Sequence, residues 1–479
     1  MNHNKAENVQ PVQKISIVAV ILAGAFLSIL NQTLLVTAIP PIMGEYNLTE
    51  NTAQWLTTIF MLVNGIMIPI TAFLVETFTT RGLYLTSMMI FALGTMFCLV
   101  APNFPLLMVG RVIQAAGAGI VLPLMMTVIL LLYPIEKRGS AMGTIGLVIA
   151  FAPAIGPSLS GWLIEHYHWK ALFYVVLPLV VIDIIIAYFV MKNVTSPTSP
   201  KIDILSIVLS TFGFGGLLYG FSSAGNYGWS NSFVILSLAI GAISLTVFIL
   251  RQFKLKQPIL EFRVFQNKVF AITTVITMIA FVSLIGAETI LPIYMQNMAG
   301  FTAFESGLMI LPGALVMGFM SPINGRIFDK VGARWLTIIG LSIITVTTLM
   351  FTNLTETTSF AYLTVVFAIR MLGISMVMMP ATTAGLNQLP NRLIPHGTAM
   401  NNTMRQVAAS IGTAILITVM TNTALDNGES AEPSELIHGV NISFYMSTAL
   451  VIVGLLLSFY IKDNMKAVEQ NHSIAKNYE

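Results

Sequence analysis

Four charged side chains lie inside long apolar stretches of this 479-residue chain: Glu288, Asp183, Arg111 and Arg370. A charge at the centre of a bilayer costs about 2.5–3.5 kcal/mol on insertion scales, so such residues are functional candidates by default. Apolar surroundings favour the neutral form of a carboxyl group, which can then take up and release a proton. The expected chemistry is therefore reversible protonation, with Glu288 and Asp183 as the candidate carboxyl groups.

Each of these residues also has a structural interpretation. Glu288 can lie near the membrane surface and simply meet water, since the cost of a charge falls there. A buried arginine needs hydrogen-bond acceptors, so Arg111 can be a structural hub. Asp183, near the middle of its stretch, can serve either role. Arg405, at the start of another apolar stretch, is expected to extend its side chain to the membrane surface.

Polar, aromatic and sulfur-containing side chains in the same stretches could line a binding cavity. Methionine is flexible and polarizable, which suits a cavity that accepts varied apolar ligands. Four methionines cluster between positions 371 and 379, although ordinary apolar packing also explains such a cluster. The candidate cavity residues are Asn31, Trp55, Gln114, Tyr294, Arg370 and Met376.

The elements that must position these residues are membrane-spanning helices. Only 9% of the residues are charged and 56% are hydrophobic, whereas a soluble domain carries about 25% charged residues. The apolar residues must therefore face lipid, and a span needs about 20 of them. Fourteen segments qualify, at 15–36, 54–74, 82–101, 106–132, 140–164, 171–191, 203–222, 232–251, 269–292, 305–325, 335–352, 361–387, 403–421 and 441–461. The predicted fold is an all-α integral membrane bundle of fourteen transmembrane helices.

The basic residues predict the orientation of these segments. Of the 23 Lys and Arg residues, nineteen lie in the tails and turns on the side of the N-terminus, and Lys170 alone lies in a turn on the other side. Because positive turns stay in the cytoplasm, both termini are predicted to be cytoplasmic. A missed or invented helix would scramble this alternation, so it also supports the even number of spans.

An internal repeat divides the chain. A proline, an acid and an arginine recur with an offset of 253 residues at the ends of the second and tenth segments. The two sets are Pro69, Glu76 and Arg81, and Pro322, Asp329 and Arg334. Parallel repeats of six helices are typical of transporters. The repeat predicts a six-helix bundle at 1–200, a two-helix insert at 201–256 and a second six-helix bundle with its tail at 257–479.

Two patterns lie in or beside the spans. The turn after the tenth segment reads Gly325-Arg-Ile-Phe-Asp329-Lys330-Val-Gly-Ala-Arg334. Glycine permits a tight turn, and the acid can pair with a helix N-terminus or with basic side chains and so latch a closed state. The fifth segment reads Ala-Pro153-Ala-Ile-Gly156-Pro157-Ser-Leu-Ser-Gly161. Small residues there permit close helix contact, and prolines kink the helix.

These patterns, together with Arg111-Val-Ile-Gln114, resemble the major facilitator superfamily and, within it, the fourteen-helix drug:proton antiporters. The resemblance covers nearly the whole chain and implies a major facilitator fold. It implies gating by the loop signature and by its weaker copy at Glu76 and Arg81, which has lost its glycines. It also implies that the fifth-segment pattern favours exchange over leak and that Arg111 contributes to proton coupling.

The first segment resembles lincomycin-resistance-type exporters of Gram-positive bacteria, but Asn31 stands where many relatives carry aspartate. An amide cannot take up a proton at physiological pH, so a proton carrier must lie elsewhere. Through the repeat, the ninth segment is the counterpart of the first. Glu288 in that segment is therefore the expected carrier.

The resemblance implies a proton-coupled exporter of amphipathic drugs, with lincosamides as candidate substrates, that works by alternating access in a bacterial cytoplasmic membrane. We expect a monomer without a cofactor. Export or flipping of an endogenous lipid or metabolite, with incidental drug efflux, remains an alternative with the same sequence features. A channel is a further alternative, which the antiporter pattern disfavours.

Other classes of function fit the sequence poorly. The six histidines fall in predicted turns and tails, so no metal-ligand or acid–base cluster of a membrane enzyme is visible. Direct ATP use is disfavoured because no P-loop appears. A net charge of +3 offers no basic face for nucleic acid.

Overall fold

The computed structural model describes residues 11–195, 197–198, 202–424 and 433–461. Over these residues, fourteen helices are long and apolar enough to span a membrane. They are α1 Pro11–Leu34, α2 Glu50–Thr77, α3 Thr80–Val100, α4 Phe104–Leu132, α5 Arg138–His166, α6 Ala171–Val190, α7 Ile204–Tyr227, α8 Ser232–Lys254, α9 Lys268–Asn297, α10 Ala303–Val331, α11 Ala333–Met350, α12 Phe360–Leu386, α13 Ile394–Ala424 and α14 Pro433–Ser458. The predicted all-α bundle of fourteen spans is confirmed.

Polar turn residues set where the helices begin. The side chains of Thr49, Thr79 and Asn103 each accept a hydrogen bond from a backbone N–H in the first turn of α2, α3 and α4. At the start of α10, Thr302 and Glu305 form a reciprocal capping box. Such caps satisfy N–H groups that have no partner within the helix. Helices therefore extend into polar sequence beyond the apolar segments that predict them.

Consecutive spans are joined by short connections and run in opposite directions, so the odd-numbered helices all begin at one face of the bundle. We call this face the basic face, because basic residues such as Arg81, Lys137 and Lys330 lie in or next to its turns. The other is called the outer face. The positive-inside rule predicts that the basic face is cytoplasmic.

The first six and the last six spans repeat one packing arrangement. In the first half, α4 packs on α2 and α3, and α1 packs on α5 and α6. In the second half, α12 packs on α10 and α11, and α9 packs on α13 and α14. The remaining pair, α7 and α8, pack on each other, and α7 also lies against α2 and α13. This is the expected order of six, two and six spans.

The start of α13 differs from the prediction. Hydropathy places it at 403, but the helix begins at Ile394. The intervening residues include four polar side chains, His396, Thr398, Asn401 and Asn402, which are buried because partners on other helices satisfy them; Asn401 donates to the Thr277 hydroxyl at 3.2 Å. The expectation that Arg405 reaches the membrane surface is therefore wrong. Arg405 lies about three turns inside α13 and is 6% exposed.

Candidate functional site

The two halves meet along two helix pairs, α5 with α10 and α2 with α13. The first pair is close because Gly139 and Gly143 of α5 face Ser321 and Gly325 of α10. A Cβ atom added at Gly143 would lie 2.6 Å from the Ser321 carbonyl oxygen and 2.9 Å from the Pro322 Cα. Backbone atoms cannot yield cheaply, so the contact requires glycine at position 143.

Asp329 ties α10 to the start of α5 at the basic face. Its carboxylate accepts hydrogen bonds from the backbone N–H groups of Gly139, at 2.7 Å, and Ser140, at 2.8 Å, and from the Ser140 hydroxyl. These N–H groups belong to the first turn of α5, where the helix dipole favours a negative charge. Lys330 and Arg334 of the same loop signature are exposed.

Arg138 makes a second link between the halves at this face. Its guanidinium donates to the side-chain oxygens of Asn387, at 3.0 Å, and Asn391, at 3.3 Å, in the connection between α12 and α13. A third hydrogen bond, to the Tyr133 carbonyl at 3.2 Å, holds the guanidinium in place. Sequence reasoning used Arg138 only as a marker of orientation.

Glu76 and His396 link α2 to α13. His396 Nε2 lies 3.0 Å from Glu76 Oε1, and His396 Nδ1 accepts from the Glu261 N–H at 3.3 Å. An imidazole that accepts at Nδ1 donates at Nε2, so the neutral ring satisfies both partners. Arg81 stays within the first half, where its guanidinium donates to the Tyr188 carbonyl at 2.6 Å.

The bundle is closed toward the basic face and more open toward the outer face. Every residue is buried at 123–130 in α4, at 377–386 in α12 and at 394–403 in α13. The Thr127 and Thr398 hydroxyls join two of these stretches at 2.8 Å. In contrast, most residues at 52–67 in α2 and at 404–419 in α13 are partly exposed. The two halves are therefore closed together at the basic face and parted further at the outer face.

Arg111 is fully buried in α4, where neighbouring groups satisfy its guanidinium except for Nη2, which has no hydrogen-bond partner among the described residues. It donates to the Leu56 carbonyl at 3.1 Å and to Gln114 Oε1 at 2.7 Å, and Gln114 donates in turn to the Thr95 hydroxyl at 2.7 Å. The guanidinium carbon lies 4.2 Å from the centre of the Phe60 ring. This network joins α2, α3 and α4.

Arg370 occupies the comparable place in the second half and differs by having an acidic neighbour. It donates to the Thr348 hydroxyl at 2.5 Å and to the Ser283 carbonyl and hydroxyl at 2.5 and 2.6 Å. Thr348 is the repeat counterpart of Thr95, at the same offset of 253 residues. Glu288 of α9 interacts electrostatically with Arg370 and is partly exposed.

Asp183 of α6 lies away from the contact between the halves. Its carboxylate is 5% exposed and lies 2.7 Å from the Tyr84 hydroxyl, which also lies 2.9 Å from the Val20 carbonyl. A tyrosine hydroxyl has one proton to donate. Both acceptors can be satisfied at once when Asp183 carries a proton and donates it to Tyr84.

The other predicted cavity residues are spread over several environments. Asn31 is buried, and its amide nitrogen has no hydrogen-bond partner among the described residues. Trp55 is half-buried and stacks on Tyr219 of α7, with ring centres 5.5 Å apart. Tyr294 is buried and donates to the Thr355 carbonyl at 2.5 Å. Met376 lies against α11 and is half-buried.

The fifth-segment pattern lies in the outer half of α5 and faces α1 on one side. Gly156 packs against Thr33 of α1, and Ser160 bonds to the Thr37 hydroxyl. Gly161 has open space where a side chain would lie. Pro153 is half-buried and Pro157 is exposed.

Sequence reasoning missed the glycines that bring the halves together. Gly139 and Gly143 are spaced four residues apart, as are Ser321 and Gly325, which places each pair on one helix face. That spacing of small residues was a usable signal for a close helix contact. The burial of Arg138 and His396 had no comparable signal, because both lie in polar sequence.

Comparison with known proteins agrees with the fold. The family model described as Major Facilitator Superfamily matches residues 21–413. An uncharacterised MFS-type transporter of Bacillus subtilis, YcnB, is 58% identical over 96% of this chain and 98% of its own length. The lincomycin resistance protein LmrB of the same organism is 42% identical over 93% and 95%. The crystal structure of the human organic anion transporter MFSD10 matches with a TM-score of 0.69 at 12% identity, over 94% of this chain and all of that one.

Proposed function

This chain belongs to the Major Facilitator Superfamily, and we propose that it exports amphipathic drugs in exchange for protons by alternating access. It is a multi-pass membrane transporter, not an enzyme. The relative named for lincomycin resistance makes lincosamides the first substrates to test. The proposal includes a working monomer of two halves, 1–200 and 257–479, with the insert 201–256 between them.

The observation that carries the proposal is the asymmetry of the contact between the halves. Asp329, Arg138 and Glu76 all bond across it at the basic face, while the outer halves of α2 and α13 are partly exposed. An arrangement that is sealed at one face and open at the other is one of the two states that alternating access requires. Hydrogen bonds and glycine contacts form part of this seal, beside the buried apolar residues at 123–130 and 377–386.

Proton coupling is assigned to Glu288, with Arg370 as its partner. Glu288 is partly exposed in the outer half, so it can exchange protons with the outer side in this state. When Glu288 is ionised, its charge is attracted by Arg370; when it is protonated, that attraction is lost. Protonation therefore changes how tightly α9 is held to α12, which is what a coupling residue must do. Arg111 and Asp183 remain proposed coupling residues in the first half.

Everted membrane vesicles provide the test. Respiration acidifies their interior, so a proton-coupled exporter in them accumulates drug. We expect uptake of labelled lincomycin that stops when nigericin collapses the pH gradient, together with alkalinisation of the interior when drug is added. Vesicles without the protein give the baseline. Uptake that persists after the gradient has collapsed would contradict proton coupling, and uptake of a labelled lipid in preference to every drug tried would contradict the substrate class.

A further inference from the structure

Four arginines are buried in the helices that the structure describes, at positions 111, 138, 370 and 405, and Arg405 alone among these four leaves two guanidinium nitrogens unpaired. Arg111 and Arg370 are 0% exposed; each has at least two protein acceptors and leaves only one nitrogen without a partner. Arg405 is 6% exposed, and its Nε and Nη1 atoms are buried without a hydrogen-bond partner among the described residues. Leaving a charge buried without acceptors is costly. An acceptor from outside the protein would remove this cost.

The surroundings of Arg405 favour a ligand with an apolar body. The guanidinium carbon lies 4.8 Å from the centre of the Phe281 ring on α9, and Phe281 is itself partly exposed. The ring covers one face of the guanidinium and leaves its N–H edge for an acceptor. The carboxylates near mid-span are occupied elsewhere, since Glu288 interacts with Arg370 and Asp183 bonds to Tyr84.

Arg405 also lies where the outer opening ends. Residues 394–403 of α13 are all buried, and most residues from 404 to 419 are partly exposed. One turn below Arg405, Asn401 bonds to Thr277 of α9, and Thr398 bonds to Thr127 of the first half. Arg405 therefore lies at the inner end of the more exposed region, directly above the seal.

We infer that Arg405 binds the negatively charged end of an amphipathic organic anion, with Phe281 against the ligand's apolar body. The planar guanidinium can offer two parallel N–H groups to a carboxylate or sulfonate. The ligand is either a soluble anion or a lipid with an anionic headgroup, since both present this chemistry. The inference rests on the proposed function in taking the outer opening as the substrate path.

A matched pair of fluorescent probes tests the site in purified protein in phosphatidylcholine nanodiscs. 1-Anilinonaphthalene-8-sulfonate carries a sulfonate on the ring system of N-phenyl-1-naphthylamine, which is neutral. Truncating one partner of a buried charge pair commonly weakens binding more than tenfold, so we expect Arg405→Gln to weaken binding of the sulfonate probe about tenfold or more. Binding of the neutral probe should change less than about twofold by the same reasoning.

Two further variants serve as controls. Arg405→Lys keeps the charge but loses the planar fork, so it should give a smaller loss for the sulfonate probe. Arg392→Gln removes one positive charge from an exposed site and should change neither probe. Size-exclusion profiles confirm that each variant is folded. Adding anionic phosphatidylglycerol to the nanodiscs distinguishes a soluble anion from a lipid as the ligand. Phosphatidylglycerol displaces the probe only if lipid headgroups reach Arg405.

Unchanged binding of the sulfonate probe to Arg405→Gln would overturn the inference, since water would then satisfy Arg405. Equal losses for both probes would also overturn it, because the substitution would have disturbed the apolar surface and not a charge contact. The assay needs no transport. Failure of drug uptake in vesicles would reject the proposed function without affecting the probe-binding result. Likewise, a negative probe-binding result would reject this inference and leave the proposed function standing.

Discussion

The basic-face end and the outer end of the bundle are built from the same helices but held together differently. At the basic face, polar groups from both halves bond to each other, as Asp329 does with the first turn of α5. Toward the outer face, polar groups bond to partners in their own six-helix half, as Arg370 does to Ser283 and Thr348. Glu288 lies nearby and is partly exposed. Under the proposed function, the closed end acts as a reversible latch, and the open end holds the group that responds to protons.

The largest expected effect comes from replacing one carboxyl group near each end of the bundle with the matching amide. Glu288→Gln removes the titratable group of the open end, so drug uptake driven by a pH gradient in everted vesicles should fall to the level of vesicles without the protein. Asp183→Asn alters a carboxyl group that is buried toward the closed end and bonded to Tyr84. We expect it to lose only part of the gradient-driven uptake, less than Glu288→Gln loses, because Asp183 lies away from the contact between the halves.

Both variants must reach the membrane in amounts equal to the parent protein, which immunoblotting of the vesicles checks. If the two substitutions abolished uptake equally, the distinction between the ends would fail, and Asp183 would be a coupling residue of the same rank. Coupling retained in Glu288→Gln would remove Glu288 from the mechanism.

The second prediction concerns the glycine contact at the closed end. Gly143→Leu places a side chain against the backbone of α10; overpacking of this kind costs about 1–3 kcal/mol, so the closed state should become less populated and turnover should slow about tenfold. Gly161→Leu lies on the same helix at the open end, where nothing lies within 4 Å, and should leave turnover nearly unchanged.

Labelling locates the effect of Gly143→Leu. The chain has a single cysteine, Cys98, which is buried, so a Ser140→Cys background gives one reactive thiol at the closed end. A thiol reagent should label this position faster in Gly143→Leu than in Gly161→Leu. Equal labelling rates would show that the glycine contact does not hold this end closed.

A third prediction compares two carboxylates at opposite ends of α10. Asp329→Asn keeps one acceptor oxygen but replaces the other with a donor that faces the N–H groups of α5, and an unsatisfied buried group costs about 1–3 kcal/mol. Transport should fall several-fold and labelling of the closed end should rise. Glu305→Gln at the outer end preserves the capping box with Thr302 and should change neither measurement.

The fold could be predicted from sequence because two signals act on every span. A helix that faces lipid must be apolar over about 20 residues, and basic residues collect in every second turn along the chain, which places them at one face. Hydropathy failed where helices pack on helices and not on lipid: the polar start of α13 is buried by partners such as Thr277, which lies more than a hundred positions away in the chain. The same failure misplaced Arg405.

The site was only partly predictable. The spans were a sound guide to which charges are buried, as with Arg111 and Arg370. The partners of those charges were hidden, because Arg370 bonds to residues on α9 and α11, and their separation along the chain gives no signal of contact. Sequence therefore indicates which residues need partners, and the packing of helices decides whether they obtain them.

The smallest expected effect tests whether the basic face matters only where the halves meet. Asp203, before α7, accepts hydrogen bonds from Arg251 of α8 at 2.8 and 3.0 Å, so this pair lies within the insert. Hydrogen bonding by Arg251 lowers the pKa of Asp203 to about 2. Asp203→Asn should leave transport unchanged and slightly lower the melting temperature in detergent, since ion pairs near a surface contribute little.

The pH dependence of this small decrease in melting temperature has a definite sign. The folded-state pKa of Asp203 lies below the value of about 3.9 for an unfolded chain, so its ionised form stabilises the fold above that pH and loses this contribution only as the pH falls toward about 2. The difference in melting temperature between the parent and Asp203→Asn should therefore stay constant from about pH 5 to 8.

Arg251→Gln should give a similar difference in melting temperature, and the double variant should add little because both substitutions remove the same pair. A transport defect in Asp203→Asn would show that the insert takes part in the latch, and the contrast between the two ends would then have to include α7 and α8.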